Sequence, residues 1–354
     1  SRKNLNDHYG MGQSYNNIGT LYFEKEEFKK TELTIGTHPL PSKENIEFTQ
    51  KVIENLSNLT EKDLVLVVIC GGGSVMFEAP FNISLEKLIE TNQELLHSGA
   101  DIFEMNTIRK HLSKVKGGSF AKLLSPSRVF SLIFSDVPGN DLSFIASGPT
   151  VMDKTTISDA LTIYKKYNLQ NLNLTESDFT ETPKNISDFE KTDNILMLGN
   201  ITALNSMKQK AQSLGINAVI FSDKFQLDAE LAGKALIKQT KSNSILLAGG
   251  ETTVKVMNKE GKGGRNQEVV LACLYDLDDK TTIASFDSDG WDNSPVAGAI
   301  ADINTLEKAK NQGINPEDYL KENNSLVFFK NLGDAIITDR LPSNVADLII
   351  VYKK

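Results

Sequence analysis

At 354 residues the chain is too long for one ordinary hydrophobic core, so two α/β domains are expected, and its 40% apolar and 24% charged residues are the balance of a water-soluble enzyme. The 38 basic and 46 acidic side chains leave a net charge of −8, which argues against nucleic acid as a partner because phosphate-backbone binding needs a basic surface. No apolar run reaches the length of a membrane span, the N-terminal stretch SRKNLNDHYG has no signal-peptide apolar region, and Cys70 and Cys273 have neither disulfide nor zinc spacing, so a cytoplasmic protein with no membrane partner is expected.

Phe48, Val52, Ile53, Leu56 and Leu59 fall on one helical face. The continuous β-branched run over 64–69 predicts a strand buried on both faces of a parallel sheet. Ser84 can cap a helix carrying Leu85, Leu88, Ile89, Leu95 and Leu96, with Gly99 as its stop, and Asp101 with Glu104 is a capping pair for the next helix. Further strands are expected at 128–135, 194–199, 217–222, 244–248 and 281–286, and helices near 155–167, 203–214, 229–240 and 265–276. Such alternation predicts a doubly wound α/β architecture. The polar stretch 170–193 reads as a surface excursion, and Lys241-Ser242-Asn243 divides the chain into a domain over 1–240 and a smaller α/β domain over 241–354.

The strands run into glycines or small polar residues: Gly71-Gly72-Gly73-Ser74, Ser135-Asp136, Gly199-Asn200, Gly249-Gly250-Glu251 and Asp287-Ser288-Asp289. Open α/β sheets bind ligands beyond the carboxyl ends of their strands. Three glycines let backbone N–H groups approach an anion, and Ser74 adds a hydroxyl, although a tight turn without ligand has the same sequence. Asn106, Arg109 and Lys110 share a helical face opposite Ile102, Met105, Ile108, Leu112 and Val115; with His111 and Lys116 they form either a phosphate or carboxylate site or a solvated face. Gly263-Gly264 before Arg265 and Asn266 brings a cation to free N–H groups at a helix start, a geometry that favours an anion. Asp136, Asp287, Asp289 and Asp292 could hold Mg²⁺ or accept a proton, as phosphoryl transfer requires, or could be turn residues.

Taken together, THPLPS (37–42), CGGGS (70–74), SGADIFEMNTIRKHLSKVKGG (98–118), SDVPGND (135–141), IASGPTVMDKTT (145–156), ETPK (181–184), GGETTVKV (249–256) and GKGGRNQE (261–268) resemble the type-2 glycerate kinases, with SDGWDN (288–293) a looser match. The resemblance implies a larger Rossmann-like doubly wound domain followed by a smaller α/β domain, with the active site in the cleft between them. It implies ATP- and Mg²⁺-dependent phosphorylation of D-glycerate to 2-phosphoglycerate. Its partners would be a small anionic hydroxy acid and a nucleotide, and a homodimer is an allowed assembly. Arg265, Lys110 and Asp136 are then the catalytic candidates, with Arg265 carrying transition-state charge. Gly71, Gly72, Gly73, Ser74, Asn106, Arg109, His111, Lys116, Ser135, Asn200, Glu251 and Asn266 are the substrate- or nucleotide-binding candidates, and Asp287 and Asp289 the metal ligands.

Three segments depart from the family pattern. Its Gly-Lys-Ala motif, whose lysine is thought to act on the transferring phosphate, has Gln13 and Lys3 as nearest candidates, neither correctly spaced from His38. The Pro-Thr-Asp-Ala-Ala-Gly segment reads Ser294-Pro295-Val296-Ala297-Gly298, and Thr-Gly-Thr-Asn-Val reads Leu341-Pro342-Ser343-Asn344-Val345. The alternatives are a kinase of another small sugar acid, a non-catalytic relative, or a hydroxypyruvate reductase. Against the last, no GxGxxG follows the first strand.

Overall fold

The structure, a computed structural model, describes residues 17–18, 34–37, 40–341 and 343–354. Lys3, Gln13, His38 and Pro342 lie outside the described residues. The chain forms two compact units, one of residues 1–133 and 142–196, the other of residues 134–141 and 197–354.

In the first unit β1 (Asn17–Ile18) pairs antiparallel with β2 (Thr34–Ile35). Helix α1 (Lys43–Asn55) starts at Ser42, whose N–H and hydroxyl both donate to Asn45 Oδ1, and it brings Val52 and Ile53 to a core with Phe120, Leu124 and Val129. Next come β3 (Leu64–Ile69), the single-turn α2 (Gly73–Met76), α3 (Leu85–His97), α4 (Ile102–His111), α5 (Ser119–Leu124) and β4 (Arg128–Phe134). The caps form as expected: Ser84 Oγ accepts from Lys87 N at 3.2 Å, and Asp101 Oδ1 accepts from Glu104 N at 2.8 Å. Strands β3 and β4 are parallel, from Leu64 opposite Arg128 to Ile69 opposite Ile133. Burial of β3 holds for one face only: Val65 and Val67 meet the core, whereas Leu64, Leu66 and Val68 are exposed among the described residues. Helix α6 (Ile157–Lys166) is followed, across the polar excursion, by short 3₁₀ turns and then β5 (Thr192–Leu198) beside β4.

The second unit continues with α7 (Asn200–Ser213), β6 (Asn217–Phe225), α8 (Ala229–Gln239), β7 (Ser244–Gly250), α9 (Arg265–Ala272), β8 (Thr281–Asp287) and β9 (Gly298–Ala301). Helices α10 (Ile303–Asn311), α11 (Pro316–Lys321) and α12 (Ser325–Leu332) and strands β10 (Ala335–Ile336) and β11 (Asp347–Lys353) complete it. The sheet order is β10-β9-β8-β11-β7-β6. β6 and β7 are parallel, and the last strand, β11, inserts between β7 and β8, antiparallel to both. One core, including Leu236, Val270, Ile283, Phe328 and Val351, lies under α8, α9 and α12, and another, including Leu204, Leu247 and Leu348, under α7.

The α/β class and the early strands agree with expectation, but the division at 240/241 falls inside the second unit, between α8 and β7. The reason is that β6, before that boundary, is hydrogen-bonded to β7 after it, so one sheet spans the polar connection. Strands β9, β10 and β11 and the three helices from α10 to α12 were not foreseen.

Candidate active site

In the first unit the chain leaves β3 through Gly71 and Gly72, the latter at φ 77°, into α2. A side chain at Gly73 would bring Cβ to 2.8 Å from Ala146 Cβ. That neighbour opens three consecutive left-handed residues, Ala146 (φ 51°), Ser147 (φ 60°) and Gly148 (φ 61°). Non-glycine residues hold this conformation only where surroundings over-determine it, at a cost of about 1–3 kcal/mol each. The surroundings are visible: Gly117 N donates to Ser147 O at 3.0 Å, Gly118 N to Gly148 O at 2.8 Å, and Ser147 Oγ to Asn106 Oδ1 at 2.9 Å. The fold thus joins the glycine turn, Asn106 and the Lys116-Gly117-Gly118 segment around a strained Ala-Ser-Gly turn that composition alone did not mark.

The cations of α4 face inward rather than forming an open anion site. Lys110, 5% exposed, donates to Asp153 Oδ1 at 3.1 Å. Burial pushes the Asp153 carboxyl up, but Thr155 and Lys110 together hold it below the ordinary range. Lys116 is fully buried against Glu78, whose other oxygen accepts from Ser113 Oγ at 2.6 Å, and burial lowers the lysine below its usual range. Arg109 Nε donates to Asn92 Oδ1 at 2.8 Å. His111 is buried with Nδ1 2.8 Å from Thr107 O, and its Nε2 lies 3.5 Å from Glu181 Oε1. Glu78 and Asp153 are partners from distant parts of the chain; Glu78 lies outside every motif singled out, and Asp153 stands in IASGPTVMDKTT but was not among the candidate site residues.

In the second unit β11 places Asp347 opposite both Asp287 of β8 and Gly250 of β7, with Glu251 one residue beyond. Arg265, the first residue of α9, meets all three carboxylates. Its Nε lies 2.7 Å and Nη2 3.2 Å from Asp347, Nη2 is 3.2 Å from Asp287 Oδ2, and Nη1 is 2.9 Å from Glu251 Oε1. Burial lowers the guanidinium's proton affinity, but Asp347 and Glu251 more than reverse this, so it stays charged. Burial, Asp347 and Asp289 push the Asp287 carboxyl up to about 7. Burial also raises Glu251, with Asp347 and Asp136 adding to it against Arg265.

The free N–H groups expected at the start of α9 are taken by the protein's own anion. Asp292 Oδ1 accepts from Asn266 N at 3.1 Å and Oδ2 from Gln267 N at 2.9 Å. Gly264 permits this approach, because a Cβ there would lie 1.9 Å from Asp292 O. Asn266 Nδ2 donates to Asp347 Oδ1 at 2.7 Å, and Ser285 Oγ donates to Asn266 Oδ1. Asn200 Nδ2 donates to Val345 O at 2.8 Å and Asp347 O at 2.9 Å, and its buried Oδ1 has no hydrogen-bond partner among the described residues. Ser135 N donates to Leu198 O at 2.8 Å, and Asp136 follows it, half-buried. Asp289 N donates to Asp287 Oδ1 at 3.1 Å, and Asp289 Oδ1 accepts from Trp291 N at 2.8 Å. Among the described residues no three His, Cys, Asp or Glu side chains are arranged to hold a metal ion.

Residues 5–177 match a domain of unknown function, DUF4147, and residues 244–347 match the MOFRL family, on either side of the 240/241 division. The chain is 38% identical over 329 residues to a D-glycerate 2-kinase of Thermotoga maritima, covering 88% of this chain and 78% of that protein. It is 36% identical over 341 residues to an Agrobacterium vitis protein provisionally named a hydroxypyruvate reductase, covering 90% of this chain and 76% of that one. Its fold matches the crystal structure of a Thermotoga maritima glycerate kinase with a TM-score of 0.83 at 36% identity, covering 90% of this chain and 80% of that chain. With the strand-end motifs, the α/β architecture and the similarity to the Thermotoga maritima D-glycerate 2-kinase in agreement, the chain belongs to the glycerate 2-kinase family.

Proposed function

We propose that the protein transfers the γ-phosphoryl group of ATP to the 2-hydroxyl of D-glycerate, forming 2-phosphoglycerate and ADP in the cytoplasm. The observation that carries the reading is the Arg265 cluster at the ends of β7, β8 and β11, in a chain so similar to a D-glycerate 2-kinase. In the step, a bond forms between O2 of glycerate and the γ-phosphorus while the bond to the β,γ-bridging oxygen breaks, and the hydroxyl proton passes to a carboxylate. Asp136 and Glu251 are the candidate bases; Glu251's raised proton affinity suits it to that exchange nearer neutrality. Arg265, its fork fixed on Asp347, supplies positive charge for the phosphoryl oxygens. Gly71, Gly72, Gly73, Ser74 and Asn106, backed by Ser147, are the groups proposed to hold the hydroxy acid.

Asp287 and Asp289 are the proposed Mg²⁺ ligands. The fit rests on charge: one guanidinium serves the carboxylates of Asp347, Asp287 and Glu251, leaving negative charge for a cation. Two carboxylates suit Mg²⁺, which ordinarily takes its other ligands from phosphate and water. When bound, Mg²⁺ neutralises charge on the nucleotide phosphates.

The test is turnover of D-glycerate with ATP and Mg²⁺, followed by the position of the phosphate. Expected are ADP and 2-phosphoglycerate, loss of turnover in excess chelator, and a higher Tm with MgADP than with ADP plus chelator. Formation of 3-phosphoglycerate would overturn the regiochemistry. The reductase reading, raised by the Agrobacterium relative, predicts NADH oxidation with hydroxypyruvate instead. Against it, the glycine turn after β3 opens only the four-residue α2 rather than a dinucleotide-binding helix.

A further inference from the structure

The loop from β7 to α9 begins with Glu251 and ends at Arg265, so its path sets the 2.9 Å approach of Glu251 Oε1 to Arg265 Nη1. Irregular loops beyond about 12 residues are uncommon in compact domains and usually functional. A single side chain from the turn between α11 and α12 grips this loop. Asn323 Oδ1 accepts from Met257 N at 2.6 Å and Asn258 N at 3.1 Å, while its Nδ2 donates to Lys255 O at 3.2 Å and to Glu268 Oε1 at 2.9 Å. An amide side chain can accept twice and donate twice, and here every one of these positions is used. Asn323 is 8% exposed and its φ is 47°, a left-handed conformation that asparagine tolerates better than most residues.

These bonds join two parts of the chain to one turn. Lys255, Met257 and Asn258 belong to the loop, whereas Glu268 lies in the first turn of α9, the helix that Arg265 opens. The glycines before that helix press on the same turn: a Cβ at Gly261 would lie 2.2 Å from Glu322 O, and one at Gly263 would lie 2.1 Å from Ser325 Oγ. Lys262 between them is tied by its backbone, with Leu326 N donating to its O at 2.9 Å and its own N donating to Asn324 Oδ1 at 3.4 Å. The segment Gly261-Lys262-Gly263 is therefore a seam against residues 322–326, and close backbone approach accounts for its glycines without an anion. The seam matters to the site because its loop carries Glu251 at one end and Arg265 at the other. A displacement of about 1 Å caused by a remote substitution can cost about a hundredfold in rate.

We propose that Asn323 is a positioning residue for the phosphoryl transfer: it pins the β7–α9 loop and the first turn of α9 to one turn, and so holds Glu251 and Arg265 in register, acting through them rather than on the substrate. The proposal rests on the kinase reading for the reaction that this register serves. Asn323→Gly deletes the side chain without straining a backbone at φ 47°, because glycine adopts positive φ freely. Phe328→Leu is the control. Phe328 is fully buried in the core under α12, so its truncation weakens the packing behind the same turn while leaving all the Asn323 bonds in place. Gly263→Ala attacks the seam from the loop side, by pushing it off Ser325.

The experiment measures kcat and KM for D-glycerate with MgATP, well below the Tm of every variant, and amide hydrogen exchange over residues 251–267. The expected result for Asn323→Gly is a kcat lower by about tenfold or more with KM within about threefold, and faster exchange from Lys255 through Gln267. Phe328→Leu should keep kcat within about twofold of the parent and leave that exchange unchanged, although its Tm falls. If Asn323→Gly does not fold, Gly263→Ala is read by the same criteria. A folded Asn323→Gly with the parent's kcat overturns the proposal, and the kinase reading stands because the parent turns over. Equal losses of kcat in Asn323→Gly and Phe328→Leu also overturn it, since the turn would then serve stability alone. If the parent phosphorylates no glycerate, the proposed acceptor falls and exchange decides. Faster exchange that reaches the Asn266 and Gln267 N–H groups, which donate to Asp292, upholds the positioning role, and a change confined to Met257 and Asn258 overturns it.

Discussion

Carboxylates from Asp347, Asp287 and Glu251 converge on the guanidinium of Arg265, and Asp347 takes two of its donor atoms in a fork. A lysine cannot reproduce that fork. Arg265→Lys is therefore expected to lower kcat by about a hundredfold or more, the scale of losing one transition-state donor, while the protein still folds. A steady-state comparison with Tm measured alongside checks this; a change confined to KM would make Arg265 a ground-state clamp. The pair of Lys116 and Glu78 poses a different question, because both are buried and neither has another charged partner at salt-bridge distance among the described residues. Breaking such a pair costs about 3–5 kcal/mol, largely from the uncompensated charge left behind. Lys116→Met should lose stability on that scale in urea unfolding, and Lys116→Met with Glu78→Gln should recover part of it. Equal losses in the single and double variants would show that the pair's charge is not what matters.

Among the secondary-structure elements, α9 depends on an unusual cap. Its N-cap residue is Gly264, which offers no side chain, and the capping carboxylate comes instead from Asp292, across a loop. Asp292 also accepts from the Gln267 side chain at 2.8 Å and is 2% exposed. Asp292→Ala leaves several buried donors unpaired at about 1–3 kcal/mol for a group of this kind. The expected outcome is a clear drop in the urea midpoint, together with reduced activity because Arg265 starts the same helix. Asp292→Asn, which keeps one acceptor oxygen, should fall between the two. A parent-like midpoint in Asp292→Ala would remove the cap from the account.

Across the whole molecule, pH acts through groups folding has moved. Glu268 on α9 is pushed up to about 7 by burial, against an ordinary value of 4.5, with Asn323 Nδ2 donating to its Oε1 at 2.9 Å. The folded state therefore binds the proton more tightly than the unfolded one. The stabilisation from this group is complete below about 4.5 and is lost as pH rises through about 7. Glu268→Gln keeps the acceptor and removes the titration, so its gain in stability over the parent should be larger at pH 8 than at pH 5. Urea unfolding at the two pH values checks it, and an equal difference at both would mean Glu268 does not titrate in that interval. No helix of the described residues is long and apolar enough to cross a membrane.

What the sequence determined by itself was local. Short apolar runs marked β3, β4, β6, β7 and β8, although the run in β3 buries one face rather than the two expected. Ser84 and the Asp101–Glu104 pair set helix starts through bonds spanning three residues. The motifs named the family because they keep residue types and spacing together. The tertiary structure decided which charges meet. Lys110 and Lys116 look like an anion site when read along the sequence, yet Asp153 and Glu78 neutralise them from 43 and 38 positions away. Asp347 was missed for the same reason: β11 inserts between β7 and β8, and only that antiparallel register puts its carboxylate beside Asp287 and Arg265. Helical and strand periods act over a few residues, whereas the partner of a buried charge is set by the packing of distant segments, where desolvation makes pairing compulsory.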